Sequence, residues 1–387
     1  MGKCKKLKVA YLDYSECFAG AERVLYTMIS NLGHNKFEPI LVFPYPMNHQ
    51  KQYDSLNCRK VYLADSLKSW MGSARWKRPL RGTDFLARTI WGIRLASLIR
   101  KEKIDILHIN LLRPDSTMWI LPVRFATNCK IVGHFRSQSY EWIPPKIVQK
   151  NCDVILCVSK YSRRRLLLKG NHTNTLPLYD SVDVNSFTQS RTKIEAKAKL
   201  NLPQDAFIIS SIGQLSRQKG HDNAIFAFAK IANKYPNAVL YIAGGGADLN
   251  YLHDIADKFQ EIRNRIIFTD AQVSDIKTVY SASDLVLSLT KVGEAFGLVP
   301  YEACLMGVPF IGPGKGAILE FVKDGENGLL VETYDVDRIV KKIEWAINHP
   351  DKCIEMTKRL KETINNSLLP EIMVKNLEGV YNTLLES

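Results

Sequence analysis

A short turn between an apolar strand and a helix constrains this chain more than any other segment. The turn and the helix after it occupy Gly293–Pro309 (GEAFGLVPYEACLMGVP), shortly after the strand-like run Asp284–Leu289. Loops at the carboxyl ends of parallel strands, followed by helix N-termini, are where α/β sheets bind phosphates and sugars. Because Glu294 and Glu302 stand eight residues apart in this setting, the segment predicts a ligand site on a parallel sheet.

The residues around the helix start suit an anionic or hydroxyl-rich ligand. Pro300 fits a first helical turn, and if Leu298 opens the helix, the backbone N–H groups of Phe296–Val299 are free to face an anion. Glu302 then projects about one turn into the helix, where its carboxylate can accept two hydrogen bonds from a diol. The alternative is a surface turn that carries two solvated carboxylates.

Three further segments, in a fixed order, extend this pattern over most of the chain. They are Ala19–Leu25 (AGAERVL), Gly213–Gly220 (GQLSRQKG) and Pro309–Val331 (PFIGPGKGAILEFVKDGENGLLV). These segments resemble the glycine-rich loop and helix, the phosphate loop and the Asn-Gly-Leu-Leu tail of the retaining glycosyltransferases of family four, also called group 1. The turn resembles their Glu-x7-Glu signature. The resemblance implies the GT-B fold, an α/β architecture in which two doubly wound Rossmann-like domains face an interdomain cleft.

Apolar and amphipathic stretches alternate along the chain, as in a parallel α/β sheet. Strands are predicted at Leu7–Leu12, Pro39–Phe43, Ile104–Ile109, Lys130–His134 and Asp153–Val158, and then at Phe207–Ile212, Val239–Ala243, Ile266–Phe268, Asp284–Leu289 and Pro309–Ile311. Two sheets in tandem are therefore expected. Arg75–Thr89 fits neither a strand nor a plain helix; it is either a membrane or acceptor-glycan contact or a packed connection.

The domain boundary is predicted near residue 185. Leu176–Phe187 resembles the hinge of the family, and a polar, lysine-rich stretch follows it. We expect residues 1–185 to form an N-terminal, acceptor-side domain and residues 186–369 to form a C-terminal domain that binds the nucleotide sugar. By the resemblance, residues 370–387 form a helix that packs back on the first domain.

Transfer of a sugar from a nucleotide sugar places negative charge on the leaving phosphate and positive charge on the sugar ring, so the site has to neutralise a diphosphate and hold the ring. Lys219 follows a strand and a turn, and Gly220 lets the chain bend toward a phosphate. The resemblance makes Lys219 a charge stabiliser of the leaving group. The family has an arginine at Gln214, and Arg217 is the candidate to replace it.

The resemblance gives the signature turn its roles. Glu294 is expected to hydrogen-bond the ring hydroxyls of the sugar, with the backbone N–H groups of Phe296, Gly297 and Leu298 facing sugar and phosphate. Glu302 is expected to accept hydrogen bonds from both ribose hydroxyls.

Other contacts are expected from the base site and from the first domain. The base is expected to lie against Asp270–Ser274, with backbone groups around Val273 reading its edge. Gly20 lets a backbone N–H group approach the diphosphate, or else simply caps a helix. His134 ends a strand at the position of the histidine that faces the donor sugar in the family, and Arg136 is a candidate for an anionic acceptor.

Two motifs are interpreted as structural. Gly244–Gly246 lacks the later glycine and the acidic partner of a dinucleotide fingerprint, so it predicts a strand-end turn. Asp335 and Asp337 match an Asp-x-Asp metal motif but precede an amphipathic helix, which favours N-capping. The histidines show no metal-ligand spacing. No cofactor and no obligatory metal are expected.

The charge of the chain is one-sided. The net charge is +16 over residues 1–185 and −2 over the rest, and much of the excess lies in Lys3–Lys8, Arg75–Arg81 and Arg163–Arg165. Such a field attracts anionic lipid or nucleic acid, but no nucleic-acid motif is present. We expect no signal peptide and no membrane-spanning segment, because the apolar stretches of the sequence are too short. The eight cysteines form no Cys-x-x-Cys pair. We expect a cytoplasmic protein, peripheral on the inner membrane face, that binds anionic membranes reversibly.

The resemblance implies retaining transfer from a nucleotide sugar to a glycan or lipid-linked glycan in polysaccharide biosynthesis. A UDP-sugar, such as UDP-glucose, is the expected donor, with a GDP-sugar second. One alternative is a GT-B synthase with a soluble small-molecule or glucan acceptor. Another is a non-catalytic GT-B scaffold subunit, which Gln214 favours and which Lys219, Glu294 and Glu302 oppose.

Overall fold

The chain forms two compact units, each built around a parallel β-sheet. The computed structural model describes residues 6–15, 18–47, 50–64, 82–137, 142–168, 174–184, 187, 191–269 and 275–386. The first unit comprises Met1–Ser181 together with Pro370–Ser387, and the second comprises Val182–Leu369. The C-terminal segment thus belongs to the first unit, while the acceptor and donor roles assigned to the two units stay predictions.

In the described part of the first unit, a seven-stranded sheet has the order β3-β2-β1-β4-β5-β6-β7, with every pair parallel. The strands are β1 (Leu7–Leu12), β2 (Phe37–Phe43), β3 (Arg59–Tyr62), β4 (Ile106–Ile109), β5 (Lys130–Phe135), β6 (Val154–Cys157) and β7 (Thr175–Pro177). The helices α1 to α5 are Gly20–Asn31, Gly82–Glu102, Thr117–Ala126, Lys146–Lys150 and Lys160–Leu167.

In the described part of the second unit, a six-stranded parallel sheet has the order β10-β9-β8-β11-β12-β13. The strands are β8 (Phe207–Ile212), β9 (Ala238–Ala243), β10 (Ile266–Phe268), β11 (Leu285–Leu287), β12 (Phe310–Pro313) and β13 (Leu329–Val331). The helices α6 to α12 are Lys193–Lys199, His221–Ile231, Leu249–Ala256, Ile276–Ala282, Val299–Leu305, Val336–Asn348 and Pro350–Ser367.

The last helix, α13 (Pro370–Glu386), is held in the first unit by apolar and polar contacts. Its buried face includes Leu377 and Tyr381, and the Tyr381 ring meets the ring of Phe37 at 5.8 Å. The Glu378 carboxylate accepts a hydrogen bond of 2.7 Å from the backbone N–H of Gly33, at the end of α1. The helix therefore covers apolar surface that the first sheet would otherwise expose.

Each of the ten predicted strands is present. The three strands that the sequence did not predict, β3, β7 and β13, are short and lie at or next to the sheet edges, where a strand needs no long apolar run. The sequence predicted that Arg75–Thr89 forms neither a strand nor a plain helix. This prediction is wrong from Gly82 onward, because α2 starts there. Charged residues interrupt the apolar positions of α2, which weakens its helical period.

Residues 75–81 lie outside the described residues, and so do Lys3 to Lys5. Within the described ranges, no helix combines the length and the apolar character needed to cross a membrane. The described cysteines are free thiols, and four of them (129, 157, 304 and 353) are buried.

Candidate functional site

The predicted phosphate loop and the signature turn lie side by side in the second unit. They follow β8 and β11, which are neighbouring parallel strands, so their carboxyl ends meet at one edge of the sheet. The two loops are joined directly, because the backbone N–H of Lys291 donates to the Gln218 carbonyl at 2.7 Å. The Thr290 hydroxyl donates to the same carbonyl at 3.1 Å.

Two glycines allow close approaches in this region, one between the two loops and one within the signature turn. Gly220 has φ +74°, and a Cβ there would come within 1.9 Å of the Leu289 carbonyl oxygen. Gly297 has φ +85°, and a Cβ there would lie 2.2 Å from Oε2 of Glu294. Both glycines have the left-handed backbone that other residues rarely adopt. A Cβ at Gly220 would also meet the Leu289 backbone, whereas a Cβ at Gly297 would displace the Glu294 side chain.

Lys219 and Glu294, which the sequence predicts as catalytic residues, form a hydrogen-bonded ion pair. The side chains are 31% and 13% exposed, so the pair is partly shielded from water but reachable by a ligand. The ammonium donates to Oε1, while Oε2 faces Gly297. A cation and a hydrogen-bond acceptor therefore stand in direct contact at this edge of the sheet.

A second ion pair, which no sequence motif predicts, joins the start of α7 to the segment after β11. The Lys291 ammonium donates to Oδ2 of Asp222 at 2.5 Å, and the Tyr251 hydroxyl donates to the same oxygen at 3.3 Å. These side chains are more buried than those of the first pair. The Lys291 side chain is 19% exposed and the Asp222 side chain is 6% exposed. This pair is a second contact between the segments that follow β8 and β11.

Glu302 lies in α10, one helical turn from its start at Val299, and is buried. Its Oε2 accepts a hydrogen bond of 2.8 Å from the hydroxyl of Tyr280, which the sequence did not single out. Leu298 is the N-cap and not the first helical residue. The Phe296 ring is also buried, stacked on Tyr301 at 5.2 Å, so only its backbone is suited to contact a ligand.

Arg217 is held by its own neighbours. Its guanidinium carbon stands 3.6 Å from the centre of the Tyr251 ring, and its Nε lies 3.7 Å from Oδ1 of Asp248. The side chain is 62% exposed, and Gln214 is exposed as well. The role of Arg217 as a replacement for the missing arginine stays a prediction. Val273 and the rest of Asp270–Ser274 lie outside the described residues.

In the first unit, His134 lies at the end of β5 within a buried polar network. Its Nδ1 is 3.2 Å from Nη2 of Arg136 and 3.2 Å from Nε2 of His108. The Nδ1 of His108 is 2.6 Å from the hydroxyl of Tyr381 on α13. The Arg136 side chain is itself buried and paired with Asp180. A contact with an acceptor would require an exposed side chain, and Arg136 does not offer one.

These contacts define the protonation of His134. A guanidinium only donates, so Nδ1 of His134 has to accept and the ring proton lies on Nε2. Among the described residues, this Nε2 has no hydrogen-bond partner although it is buried. Burial lowers the pKa of His134 well below its ordinary value, and the Arg136 charge and His108 add to this. His134 is therefore a neutral side chain that offers an N–H donor.

Gly20 is the first residue of α1, and Ala19 is its N-cap. The Glu22 carboxylate accepts from the Ala19 backbone N–H at 2.9 Å and so satisfies one donor at this helix end. Burial, with the Asp13 carboxylate nearby, raises the pKa of Glu22. Whether a backbone N–H near Gly20 meets a diphosphate stays a prediction.

The two motifs interpreted as structural have structural partners. Asp335 caps α11 by accepting from the Arg338 backbone N–H at 3.0 Å, as predicted, and Asp337 pairs with Lys230 at 2.6 Å. Gly244–Gly246 forms a turn after β9 and packs on the phosphate loop, where Leu215 donates to the Gly245 carbonyl at 3.0 Å. Within the described residues, no cluster of three or more acidic, histidine or cysteine side chains is arranged to hold a metal.

The architecture is that of a known class of enzymes. HepE from Anabaena, in its complex with UDP-glucose, matches the chain with a TM-score of 0.80 at 17% identity, over 97% of this chain and 100% of HepE. At this identity the likeness shows the fold: two Rossmann-like domains, as in the GT-B fold of glycosyltransferases.

The sequence places the chain within that class. Residues 192–365 match the family described as Glycosyl transferases group 1, and residues 18–176 match Glycosyltransferase Family 4. The chain belongs to this family of glycosyltransferases.

Two curated relatives show the range of the family. The N-acetyl-alpha-D-glucosaminyl L-malate synthase of Bacillus anthracis is 24% identical over 306 residues, covering 76% of this chain and 78% of the relative. The capsular polysaccharide biosynthesis glycosyltransferase CapM of Staphylococcus aureus is 27% identical over 238 residues, covering 60% and 62%. One name refers to L-malate, a small molecule, and the other to a capsular polysaccharide.

Proposed function

We propose that this protein transfers a hexose from a UDP-sugar, such as UDP-glucose, to a glycan or lipid-linked glycan acceptor, with retention of anomeric configuration and without a metal ion. The observation that carries the proposal is the pairing of Lys219 with Glu294 beside Gly297, on the sheet edge next to α10 with its buried Glu302. This arrangement offers a cation, a hydroxyl acceptor and a diol acceptor at one sheet edge.

Each side chain has a separate task in this proposal. Lys219 neutralises the charge that develops on the leaving phosphate, which is worth most when the charge is preorganised. Glu294 accepts from sugar hydroxyls and fixes the ring, and Glu302 accepts from the ribose. His134 donates its Nε2–H to a substrate oxygen, because its Nδ1 is occupied by donors. It therefore takes no part as a base.

The choice of UDP is supported by HepE, whose structure holds UDP-glucose. Retention and independence of metal rest on the family resemblance and on Lys219 as the charge stabiliser. In this mechanism the leaving phosphate takes the proton of the acceptor hydroxyl as the new glycosidic bond forms on the same face.

A second candidate is transfer to a small soluble acceptor. It is favoured by the similarity to the B. anthracis synthase, whose name gives L-malate as the acceptor and which matches 76% of this chain. Both candidates share the donor site and differ in the acceptor.

The test is a donor and acceptor panel. Thermal shift with UDP, GDP and their hexose conjugates identifies the nucleotide, because a ligand at 100 times its Kd stabilises by about 2.7 kcal/mol. Transfer is then assayed with membrane glycolipid extracts and with L-malate, in buffer with EDTA, and proton NMR of the product gives the anomer. An inverted anomer in the product would contradict retention. Activity that is lost in EDTA and restored by Mg²⁺ would contradict independence of a metal, and no thermal shift with any UDP-sugar would contradict the choice of donor.

A further inference from the structure

A buried histidine joins the start of the predicted phosphate loop, Gly213–Gly220, to the helix that follows it. The Nε2 of His221, the first residue of α7, lies 3.2 Å from the carbonyl oxygen of Gln214. Its Nδ1 lies 2.8 Å from the hydroxyl of Ser211, near the end of β8. His221 is only 2% exposed, so both hydrogen bonds are shielded from water.

The two partners define the protonation of the His221 ring. A carbonyl oxygen only accepts, so Nε2 carries the proton and donates to Gln214. Burial lowers the pKa of His221 to about 4; the bond to the Gln214 carbonyl opposes this shift, and the Lys219 charge adds to it. The ring is therefore neutral near pH 7, and its Nδ1 accepts from the Ser211 hydroxyl.

Hydrogen bonds continue from the ring into the loop. The Gln214 carbonyl also accepts from the backbone N–H of Ser216 at 2.9 Å. The Ser216 carbonyl accepts in turn from the backbone N–H of Lys219 at 2.9 Å. An unbroken path of hydrogen bonds therefore connects the His221 imidazole to the backbone of Lys219.

Other backbone contacts hold the loop as well. The N–H of Leu215 donates to the Gly245 carbonyl at 3.0 Å, after β9, and the N–H of Lys291 donates to the Gln218 carbonyl at 2.7 Å, after β11. These bonds tie the loop to segments that follow neighbouring strands. The His221 ring instead joins the first part of the loop to α7, and so closes the loop on itself.

We propose that His221 is a positioning residue for the diphosphate, which closes the phosphate loop so that Lys219 meets the phosphate next to the sugar. The inference rests on the proposed function, in which Lys219 neutralises the leaving phosphate. His221 contacts no part of the nucleotide in this inference and acts through the loop.

The experiment compares UDP with UMP, which lacks the phosphate assigned to Lys219, by isothermal titration calorimetry. His221→Leu removes both ring hydrogen bonds and should lower UDP affinity by about fivefold, the size of one net hydrogen bond, with UMP affinity unchanged. His221→Gln, whose amide can still donate to the Gln214 carbonyl, should keep UDP affinity close to that of wild type. If His221→Leu does not fold, His221→Asn, which is too short to reach this carbonyl, takes its place with the same expectation.

The matched control is His349→Leu, at the junction of α11 and α12 in the same unit. The Nδ1 of His349 lies 2.8 Å from the Trp345 carbonyl oxygen, so this change also removes a bond between an imidazole and a backbone carbonyl. Because His349 has no bond to the phosphate loop, the variant should leave the affinities for UDP and UMP unchanged.

Lys219→Ala separates this inference from the proposed function. It should weaken UDP binding and spare UMP, and adding His221→Leu to it should cause little further loss, because the ring acts through the loop that carries Lys219. If Lys219→Ala leaves UDP affinity and kcat unchanged, the phosphate role is wrong and the inference falls with it. If Lys219→Ala weakens UDP binding but His221→Leu does not, or if His221→Leu weakens UDP and UMP equally, the positioning role alone is overturned.

Discussion

The ammonium of Lys219 donates a hydrogen bond to the carboxylate of Glu294, so the two predicted catalytic side chains of the second unit neutralise each other. In the proposed mechanism each has a different partner on the donor, a phosphate for Lys219 and the sugar hydroxyls for Glu294. Donor binding then exchanges one ion pair for two ligand contacts.

Glu294→Ala should separate nucleotide binding from transfer. The change removes the acceptor for the sugar but frees Lys219 for the phosphate, so UDP affinity should be unchanged or somewhat higher while transfer collapses. Calorimetry with UDP and a radiolabelled transfer assay measure the two quantities. A variant that loses UDP affinity and keeps its turnover would contradict the assignment of Glu294 to the sugar.

Lys219→Ala should reduce turnover by about 10²–10³-fold, the scale for removing one preorganised charge stabiliser. Steady-state kcat at saturating donor measures this. Lys291→Ala is the informative comparison, because it leaves the Asp222 charge poorly compensated and should lower the thermal midpoint more than Lys219→Ala does. If Lys219→Ala retains wild-type kcat, the leaving-group role is wrong.

Most of the fold could be predicted from the sequence, because buried parallel strands appear as continuous apolar runs. The run Phe207–Ile212 is β8 as predicted, whereas the edge strand β3 begins with Arg59 and Lys60 and has no continuous apolar run. The helix α2 was missed because charged residues break its apolar period. Local patterns therefore predicted the centre of each sheet better than its edges.

Site residues could be predicted from the sequence only where they stand in a short motif of neighbouring positions. Glu294, Glu302 and Lys219 stand in short segments with a recognisable pattern. Tyr280 and Tyr381 could not be found in this way, because each contacts its partner across the fold: Tyr381 meets His108 over a separation of 273 residues. No single-sequence pattern encodes a contact of that range.

Arg217→Ala tests whether Arg217 replaces the arginine missing at Gln214. If it does, the variant should lose turnover by a factor comparable to Lys219→Ala, and Gln214→Arg should restore activity to it. Because the Arg217 guanidinium rests on Tyr251, it has to leave that ring to reach a phosphate. A fully active Arg217→Ala, measured in the same kinetic assay, would show that its role is the contact with Tyr251 and Asp248.

The free energy of unfolding should decrease as the pH is lowered into the acid range, because two histidines are buried in their neutral form. Burial, reinforced by Arg136, lowers the pKa of His108 to about 3, and the pKa of His134 is lowered as well. In the unfolded chain both histidines take up a proton near pH 6.5. Their neutral, buried state therefore contributes its full stabilisation above that pH, and this contribution is lost as the pH falls toward the pKa of the folded state. Each histidine contributes a slope of about 1.4 kcal/mol per pH unit.

Urea denaturation of wild type and His108→Gln between pH 8 and pH 5 measures this slope. The variant should have a lower free energy of unfolding than wild type at pH 8. Between pH 8 and pH 5 this difference in the free energy of unfolding should shrink by about 2 kcal/mol. His34→Gln, at a partly exposed site after α1, serves as the control for replacing a histidine outside the buried pair. A parallel curve for His108→Gln would refute the assignment of a neutral, buried His108.

The one-sided charge of the chain predicts reversible binding to anionic membranes. The net charge is +16 over residues 1–185 and −2 over the rest. Each Lys or Arg near an anionic surface is worth about 1 kcal/mol, and the attraction decays over a Debye length of about 8 Å at physiological salt. The candidate clusters, Lys3–Lys8 and Arg75–Arg81, lie mostly outside the described residues, so this prediction rests on the sequence.

Liposome co-sedimentation with anionic and neutral lipids, at low and high salt, measures the binding. A patch of four to six basic residues should give attachment to anionic vesicles that high salt reverses, because the contribution is electrostatic. Replacing Arg75, Lys77, Arg78 and Arg81 by glutamine should weaken it, whereas glutamine at the exposed Lys352 and Lys358 of α12 should not. Equal binding to both lipids, or to neither, would remove the main support for a membrane-linked acceptor and favour a soluble one.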